Sequence, residues 1–491
     1  MQHLDDSLYP DDDVEMLHIL RLTSLSTKIS SLYMKISSIG IIAWHPKTFH
    51  IFATSIKNMT IMKKRIQQLF IALAVSFGMT ACSSDDSQNL QVNQPPIEKG
   101  GGTTPGDNAR KDIQLNAAEK KIVGSSNDFA FQLFRQLANG ETQASKSCMV
   151  SPLSITCAMG MLNNGASGDT KAQITKVLGF GDSQESVNQF AGKMMAELPT
   201  IDSESQVALA NTIFVNGNYK LQTDFVKLAG QYYDATPETR NFSDNKTLEA
   251  INQWASDHTR QMITEVLTPE EFTPQAVSYL LNATYFKGAW AAKFDKAETV
   301  EEVFDGAAKK VSMMHMNNTL NYMENETCQA VRLPYGNGAY AMTVLLPRNG
   351  KTVSQMAETL NAATWESYQR MSGTAVVDVK LPRFETKTDV SLKSVLSTLG
   401  MTDAFDAKKA DFSRFCNTST FIEQMKQVAR IVVDEKGSEA AAVTVIGSFT
   451  TSADSGTALQ HVNFHANHPF LYVISEQSTG AILFIGQYFA E

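Results

Sequence analysis

The sequence predicts an α+β domain built around a large sheet. Within residues 116–491 several helical periods come first and many strand-like runs come later, the order of an α+β fold rather than an alternating one. The same stretch has no obvious linker and no internal repeat, and a chain that is 43% hydrophobic can fill a substantial core.

In chain order, the 3.6-residue period predicts a helix over 127–138, with Phe131, Phe134 and Leu137 on one face. The period returns at 152–163 and 248–264. Strands are expected at Val207–Val215, Val277–Tyr285, Ala339–Leu346, Ala375–Leu381, Ile431–Val433, Phe470–Ile474 and Ile482–Ile485, each rich in β-branched, aromatic or other apolar residues.

The chain ahead of this domain has a different character. Residues 1–61 show no period. From Met62, a charged start (Lys63, Lys64, Arg65) leads into the apolar run Leu69–Val75 and then Met79-Thr80-Ala81-Cys82. That order is a secretory signal peptide, with an apolar run too short to span a bilayer. Its ending resembles a bacterial lipoprotein signal, in which the cysteine is lipidated. The expectation is that 1–61 is a gene-model overshoot, 62–81 a signal peptide, Cys82 the lipidated residue and 82–115 a flexible tether rich in Gly, Pro, Ser and Asn. A membrane partner through the lipid on Cys82 follows. So does an extracytoplasmic location on a bacterial cell envelope, at the outer membrane or cell surface, facing the periplasm or the exterior.

A net charge of −9 with no basic run longer than Lys63-Lys64-Arg65 argues against nucleic acid as a partner. The cysteines Cys82, Cys148, Cys157, Cys328 and Cys416 include no metal-ligand spacing; the last four read as small core residues, with one disulfide among them left open. There is no G-x-S-x-G elbow, no H-E-x-x-H and no phosphate-binding loop, so nothing local supports an enzyme. His461, His465 and His468 lie close together but without a nearby carboxylate or Cys, and no metal or other cofactor is expected.

The segment from Asp434 onward is the informative one. After Ile431-Val432-Val433 comes Asp434-Glu435-Lys436-Gly437, with Gly437 as a backbone hinge. In a strand, Ser438, Ala440, Ala442, Thr444, Ile446 and Ser448 would share one uncharged, mostly small face, fit to slide under a covering helix. Glu439, Ala441, Val443, Val445, Gly447 and Phe449 would share the other. Ser452–Ala458 reads as an exposed loop. On these residues alone, two readings stand: a strand followed by a hairpin loop, or a segment fit for the middle of a sheet that leads directly into a mobile loop.

Residues 434–446 resemble the reactive-loop hinge of the serpins, the serine protease inhibitor family, and the resemblance runs along the whole domain. Asn127-Asp128-Phe129-Ala130, Ser151-Pro152-Leu153-Ser154-Ile155, Ile251-Asn252-Gln253-Trp254, Asn282–Trp290, Leu381-Pro382-Arg383-Phe384, His468-Pro469-Phe470 and Thr479–Gly486 match family motifs in order. The resemblance implies three β-sheets, eight to nine helices and an exposed C-terminal reactive loop. It also implies an inhibitor that a protease attacks to form an acyl-enzyme, after which the hinge (Glu435, Gly437, Ser438, Glu439, Ala440, Ala441, Ala442) inserts as a new strand. The partner is then a target protease held in a covalent acyl complex by a monomer. The gate residues carry over to Ser151, Ser154, Asn282 and Trp290. Gln427 stands where most members have His, which puts the gate's pH response in doubt. Family spacing from Glu435 places the cleaved bond at Thr451–Ser452, with Phe449–Thr450 and Thr450–Thr451 as alternatives.

No Lys or Arg follows Lys436, so a trypsin-like enzyme has no basic bait; elastase-, subtilisin- or chymotrypsin-like targets fit better, and a cysteine protease also passes through an acyl-enzyme. The stretch 171–206 looks short for the family's fourth helix and has no basic cluster, so no glycosaminoglycan partner is expected. A non-inhibitory binding or chaperone module on the same fold is the alternative.

Overall fold

A computed structural model of the chain describes residues 108–140, 145–181, 183–305, 310–348, 350–438 and 459–490. The expected signal peptide, Cys82, most of the tether, the hinge beyond Ser438 and the cleavage-site candidates Phe449, Thr450, Thr451 and Ser452 lie outside the described residues.

The described helices are α1 (Ala117–Ala138), α2 (Pro152–Asn163), α3 (Gly168–Leu178), α4 (Gln184–Glu197), α5 (Thr223–Tyr233), α6 (Lys246–His258), α7 (Val353–Thr359), α8 (Ala362–Gln369) and α9 (Lys393–Thr398). The strands are β1 (Cys148–Val150), β2 (Ser205–Asn216), β3 (Glu238–Arg240), β4 (Ser278–Ala289), β5 (Val300–Val303), β6 (Lys310–Glu324), β7 (Cys328–Tyr335) and β8 (Tyr340–Pro347). After them come β9 (Thr374–Pro382), β10 (Phe384–Ser391), β11 (Gln424–Asp434), β12 (Gly437–Ser438), β13 (His461–His465), β14 (Phe470–Glu476) and β15 (Ile482–Tyr488).

Helix α1 begins ten residues earlier than its apolar period, because Asn116 and Glu119 form a reciprocal capping box: the Glu119 amide donates to Asn116 Oδ1 (2.9 Å) and the Asn116 amide to Glu119 Oε2 (2.7 Å). Helix α2 has Pro152 in its first turn, where the missing N–H costs nothing, and is buried along its whole length. Helix α6 stops at His258, short of the expected 264, because Arg260 and Gln261 turn to positive φ (49° and 65°). The last residues of the expected tether are also part of the domain. Ile113 is buried, its amide donates to Ser478 Oγ (2.9 Å), and Arg110 reaches the Gly338 carbonyl (3.0 Å).

One sheet runs β10-β11-β12-β4-β2-β3; the other runs β1-β15-β14-β8-β7-β6-β9-β13, with β5 beside β6. The long strand β6 serves both halves of the second sheet. Its Met313–Asn321 stretch pairs with β9 and its Asn321–Glu324 stretch with β7, so the three expected sheets are present with two of them joined through this strand.

Each face of the six-stranded sheet has its own core. Helix α6 covers one, packing Ile251 and Ala255 over Phe214, Tyr279, Leu281 and Val428. The opposite face, with Leu280, Phe286, Met425, Ile431 and Val433, looks into the main core beside α2 and the second sheet. Alternation along β4 and β11 therefore decides which side chains lie under α6 and which point inward.

Candidate functional site: a strand-wide seam and its hinge

The site is the boundary between β4 and β11. These two strands are parallel and pair from Gln424↔Tyr279 to Val428↔Ala283. Above that point, among the described residues, no pairing joins Ala429–Val432 to Thr284–Lys287. At the top the hinge enters the space: β12 lies antiparallel to both neighbours, with Ser438 opposite Val433 on β11 and Gly288 on β4. The sheet is closed below and parted above, with Gly437 and Ser438 of the hinge already seated as a strand.

Local chemistry folds the hinge over. Asp434 Oδ1 accepts from the amides of Lys436 (2.8 Å) and Gly437 (3.2 Å), closing the turn between β11 and β12. Gly437 has φ +149°, and a Cβ there would meet the Gly288 carbonyl oxygen at 2.0 Å, so only glycine fits. The Trp290 indole donates to the Asp434 carbonyl (2.9 Å) and its backbone amide to the Lys436 carbonyl (2.9 Å). Its ring stacks on Tyr335, centroids 4.4 Å apart. The Tyr335 hydroxyl in turn meets Ser438 Oγ at 2.7 Å. Glu435 is buried, accepts from Thr299 Oγ1 (2.7 Å) and is ion-paired with Arg383. Burial pushes its carboxyl up, but the hydrogen bonds from Arg383 and Thr299 outweigh this and hold it below its ordinary value.

Lower down, a buried polar cluster crosses the closed part of the seam. Gln427 and Asn282 face each other across β11 and β4, and Asn211 on β2 is the next partner of Asn282. Gln427 Nε2 donates to Asn282 Oδ1 (2.6 Å) and to the Ser151 carbonyl (3.1 Å), while the Ser151 amide donates to Gln427 Oε1 (2.8 Å). Asn282 Nδ2 donates to Asn211 Oδ1 (2.7 Å) and to Ser154 Oγ. The cluster thus ties β11, β4, β2 and the start of α2 together, and contains no titratable side chain. The Ser151 hydroxyl and Asn211 Nδ2 find no partner among the described residues.

The structure therefore brings Ser151, Ser154, Asn282 and Gln427 into one cluster, and Trp290, Glu435, Gly437 and Ser438 into another at the top of the same seam. It corrects one expectation. Ser438 points to Tyr335 and the core, not toward α6, because its neighbours Val433 and Gly288 lie on the inward register of their strands. The sequence reading gave no role to Tyr335, Asp434, Arg383, Thr299 or Asn211; Asp434 and Arg383 stand inside motifs quoted above, but only folding brings the five to the seam.

The other candidates lie elsewhere. His465 Nε2 sits 3.1 Å from Asp378 Oδ2, whereas His468 Nε2 meets the Pro347 carbonyl oxygen (2.9 Å), so these two imidazoles serve different strands. Cys157, Cys328 and Cys416 are buried thiols, and burial pushes that of Cys157 up to about 12.

A family model described as "Serpin (serine protease inhibitor)" matches residues 124–490. The chain is a serpin. Relatives include Serpin B3 of Homo sapiens, 30% identical over 386 residues that cover 73% of this chain and 97% of the relative. An uncharacterised serpin-like protein of Methanosarcina mazei is 29% identical over 372 residues, covering 74% and 86%. Among solved structures, the thermophilic serpin tengpin in its native state matches with TM-score 0.69 and 29% identity, covering 78% of this serpin and 97% of that chain. Human thyroxine-binding globulin, at 23% identity and TM-score 0.68 over 76% and 98%, shares the fold. Serpins are generally protease inhibitors rather than catalysts.

Proposed function

We propose that this serpin inhibits secreted serine endopeptidases as a suicide substrate, by inserting its cleaved loop between β4 and β11. The observation that carries the reading is the seam, closed below Val428/Ala283 and holding Gly437 and Ser438 as the first rung of a strand antiparallel to both walls. Continuing that register, Ala440 falls between Phe286 and Ile431, Ala442 between Thr284 and Ala429, and Thr444 between Asn282 and Gln427. The small uncharged face would enter the core, and Thr444 would bring a hydroxyl between Asn282 and Gln427, on the side of Ser151, whose Oγ has no partner among the described residues. Glu439 would lie on the α6 side beside Lys287.

The sequence of events is kinetic. A protease attacks a bond near Thr451–Ser452 and is esterified to the new carboxyl end. Released from its C-terminal tie, the loop zips downward from Ser438, gaining ladder hydrogen bonds on both edges and burying apolar side chains. About 15 residues at ~3.3 Å each would move the attached enzyme some ~50 Å. Trapping wins if this outruns hydrolysis of the acyl-enzyme. The absence of Lys and Arg after Lys436 directs the inhibitor to elastase-, subtilisin- or chymotrypsin-like enzymes. Lipidation at Cys82 would hold it on the cell envelope, where such proteases act. The test mixes residues 108–491 with elastase, subtilisin, chymotrypsin and trypsin. A complex that survives denaturation with the first three, and cleavage near Thr451, is expected; cleavage without complex in every case would refute it.

A further inference from the structure

The α6 side of the seam carries a charged contact that the proposed mechanism does not use. Lys426 sits on β11 opposite Leu281 of β4, inside the closed part of the seam. It is two residues from Val428, so it lies on the face that α6 and its connection cover. Its side chain is only 6% exposed. Its ammonium lies 2.9 Å from both oxygens of Glu271 and 3.0 Å from Asp389 Oδ1 on β10. Burial pushes the ammonium's pKa down, but the two carboxylates outweigh that and raise it above the usual value. Glu271 is held below its own usual value, where hydrogen bonds from Lys426 and Thr268 outweigh the upward push of burial.

The two ends of this contact belong to opposite walls. Lys426 and Asp389 move with β11 and β10. Glu271 lies on the connection from α6 to β4 and is fixed to β4: the Tyr279 hydroxyl donates to the Glu271 carbonyl (3.3 Å) and accepts from the Thr273 amide (2.8 Å). Admitting one more strand moves the walls apart by about 4.8 Å, which a 2.9 Å ion pair cannot span without breaking or dragging the connection with it. Losing one partner of a buried ammonium is costly.

Resting on the trapping reading, we propose that Lys426 and Glu271 form an ionic latch across the seam, and that its release is part of the barrier to strand insertion. The pair are positioning residues. They touch no protease, and they set the rate at which the sheet opens.

The test follows uptake of a synthetic peptide with the sequence of residues 438–450 into the intact chain, by native electrophoresis and mass, for wild type, Lys426→Met, Glu271→Gln, the double variant and Lys426→Arg. Thermal melts confirm that each is folded, and covalent complex formation with elastase is run in parallel. Each single variant should take up peptide about tenfold faster than wild type. The double variant should be no faster than either single, and Lys426→Arg should stay at the wild-type rate. Wild-type rates in Lys426→Met and Glu271→Gln, or additive effects in the double variant, would overturn the latch; the trapping reading would survive if wild type still forms the complex. Failure of every folded chain to take up peptide would overturn the latch as well, and failure of the complex in the same experiment would remove the trapping reading with it.

Discussion

The Ser438 hydroxyl lies 2.7 Å from the Tyr335 hydroxyl, so the first hinge side chain in the sheet faces the core rather than α6. A side chain at this position has nowhere to go but inward, onto a tyrosine that is itself stacked against Trp290. Ser438→Arg would bury an unpaired guanidinium at a cost of several kcal/mol. The expected outcome is a protease substrate: the moles of inhibitor consumed per mole of enzyme inactivated should rise by at least about tenfold, read by titration against the enzyme the wild type traps.

Gly437 is expected to be as sensitive for a different reason. Gly437→Ala puts a methyl group 2.0 Å from the Gly288 carbonyl oxygen and demands φ +149° of an L-residue. Such strain costs about 1–3 kcal/mol, comparable to what two ladder residues contribute. The variant should expel β12 from the sheet, seen as faster hydrogen exchange at the amides of Gly288 and of Trp290, which donates to the Lys436 carbonyl, with little change in the amides of β15.

The gate should behave as an uncharged one. Gln427 and its partners carry no group that titrates near neutrality, so the rate of strand uptake at the gate should be flat between about pH 5 and 8. Gln427→His should introduce a transition near the ordinary histidine range, about 6.5. Asn282→Ala leaves Gln427 Nε2 and Ser154 Oγ without their main partner in a buried site, and should lower stability by at least about 2 kcal/mol in a urea melt.

Acid should loosen the hinge before the rest of the sheet. Because Glu435's carboxyl is held below its ordinary value in the fold, it adds stability above the ordinary carboxylate range, and this is lost as pH falls through the lowered folded value. Between about pH 5 and 3 the melting temperature of wild type should fall more steeply than that of Glu435→Gln, which cannot titrate. Parallel slopes would mean that the pairing with Arg383 and Thr299 contributes nothing to this part of the fold.

Much of this architecture is legible in the sequence, and the parts that are not share a cause. The apolar strands β2, β4, β8, β9, β14 and β15 lie where their β-branched runs predict, and α2 matches its period to the residue. Strand β11 is visible only at Ile431–Val433, because Gln424, Lys426, Gln427 and Arg430 break its apolar pattern. Two of those residues are what bind the seam: Gln427 in the gate and Lys426 in the ion pair with Glu271. Strand β6 is hidden in the same way, by His315, Asn317 and Asn321 on its partly exposed face and by Asn318 among the apolar residues of the other. The early start of α1 depended on the cap between Asn116 and Glu119, which precedes any apolar period. The faces of the hinge were readable as alternation, but which face enters the core was not, since that follows from the register of Ser438 against Val433 and Gly288.

On the trapping reading, the chain after Ser438 becomes a strand in the seam once it is cut. The most direct measurement cleaves the wild-type chain once between residues 439 and 458, with a protease that it does not trap, and compares thermal unfolding before and after. The cut protein should melt tens of degrees higher, and Gln427 and Asn282 should lose their mutual hydrogen bond to a new strand. An unchanged or lower melting temperature after the cut would contradict it.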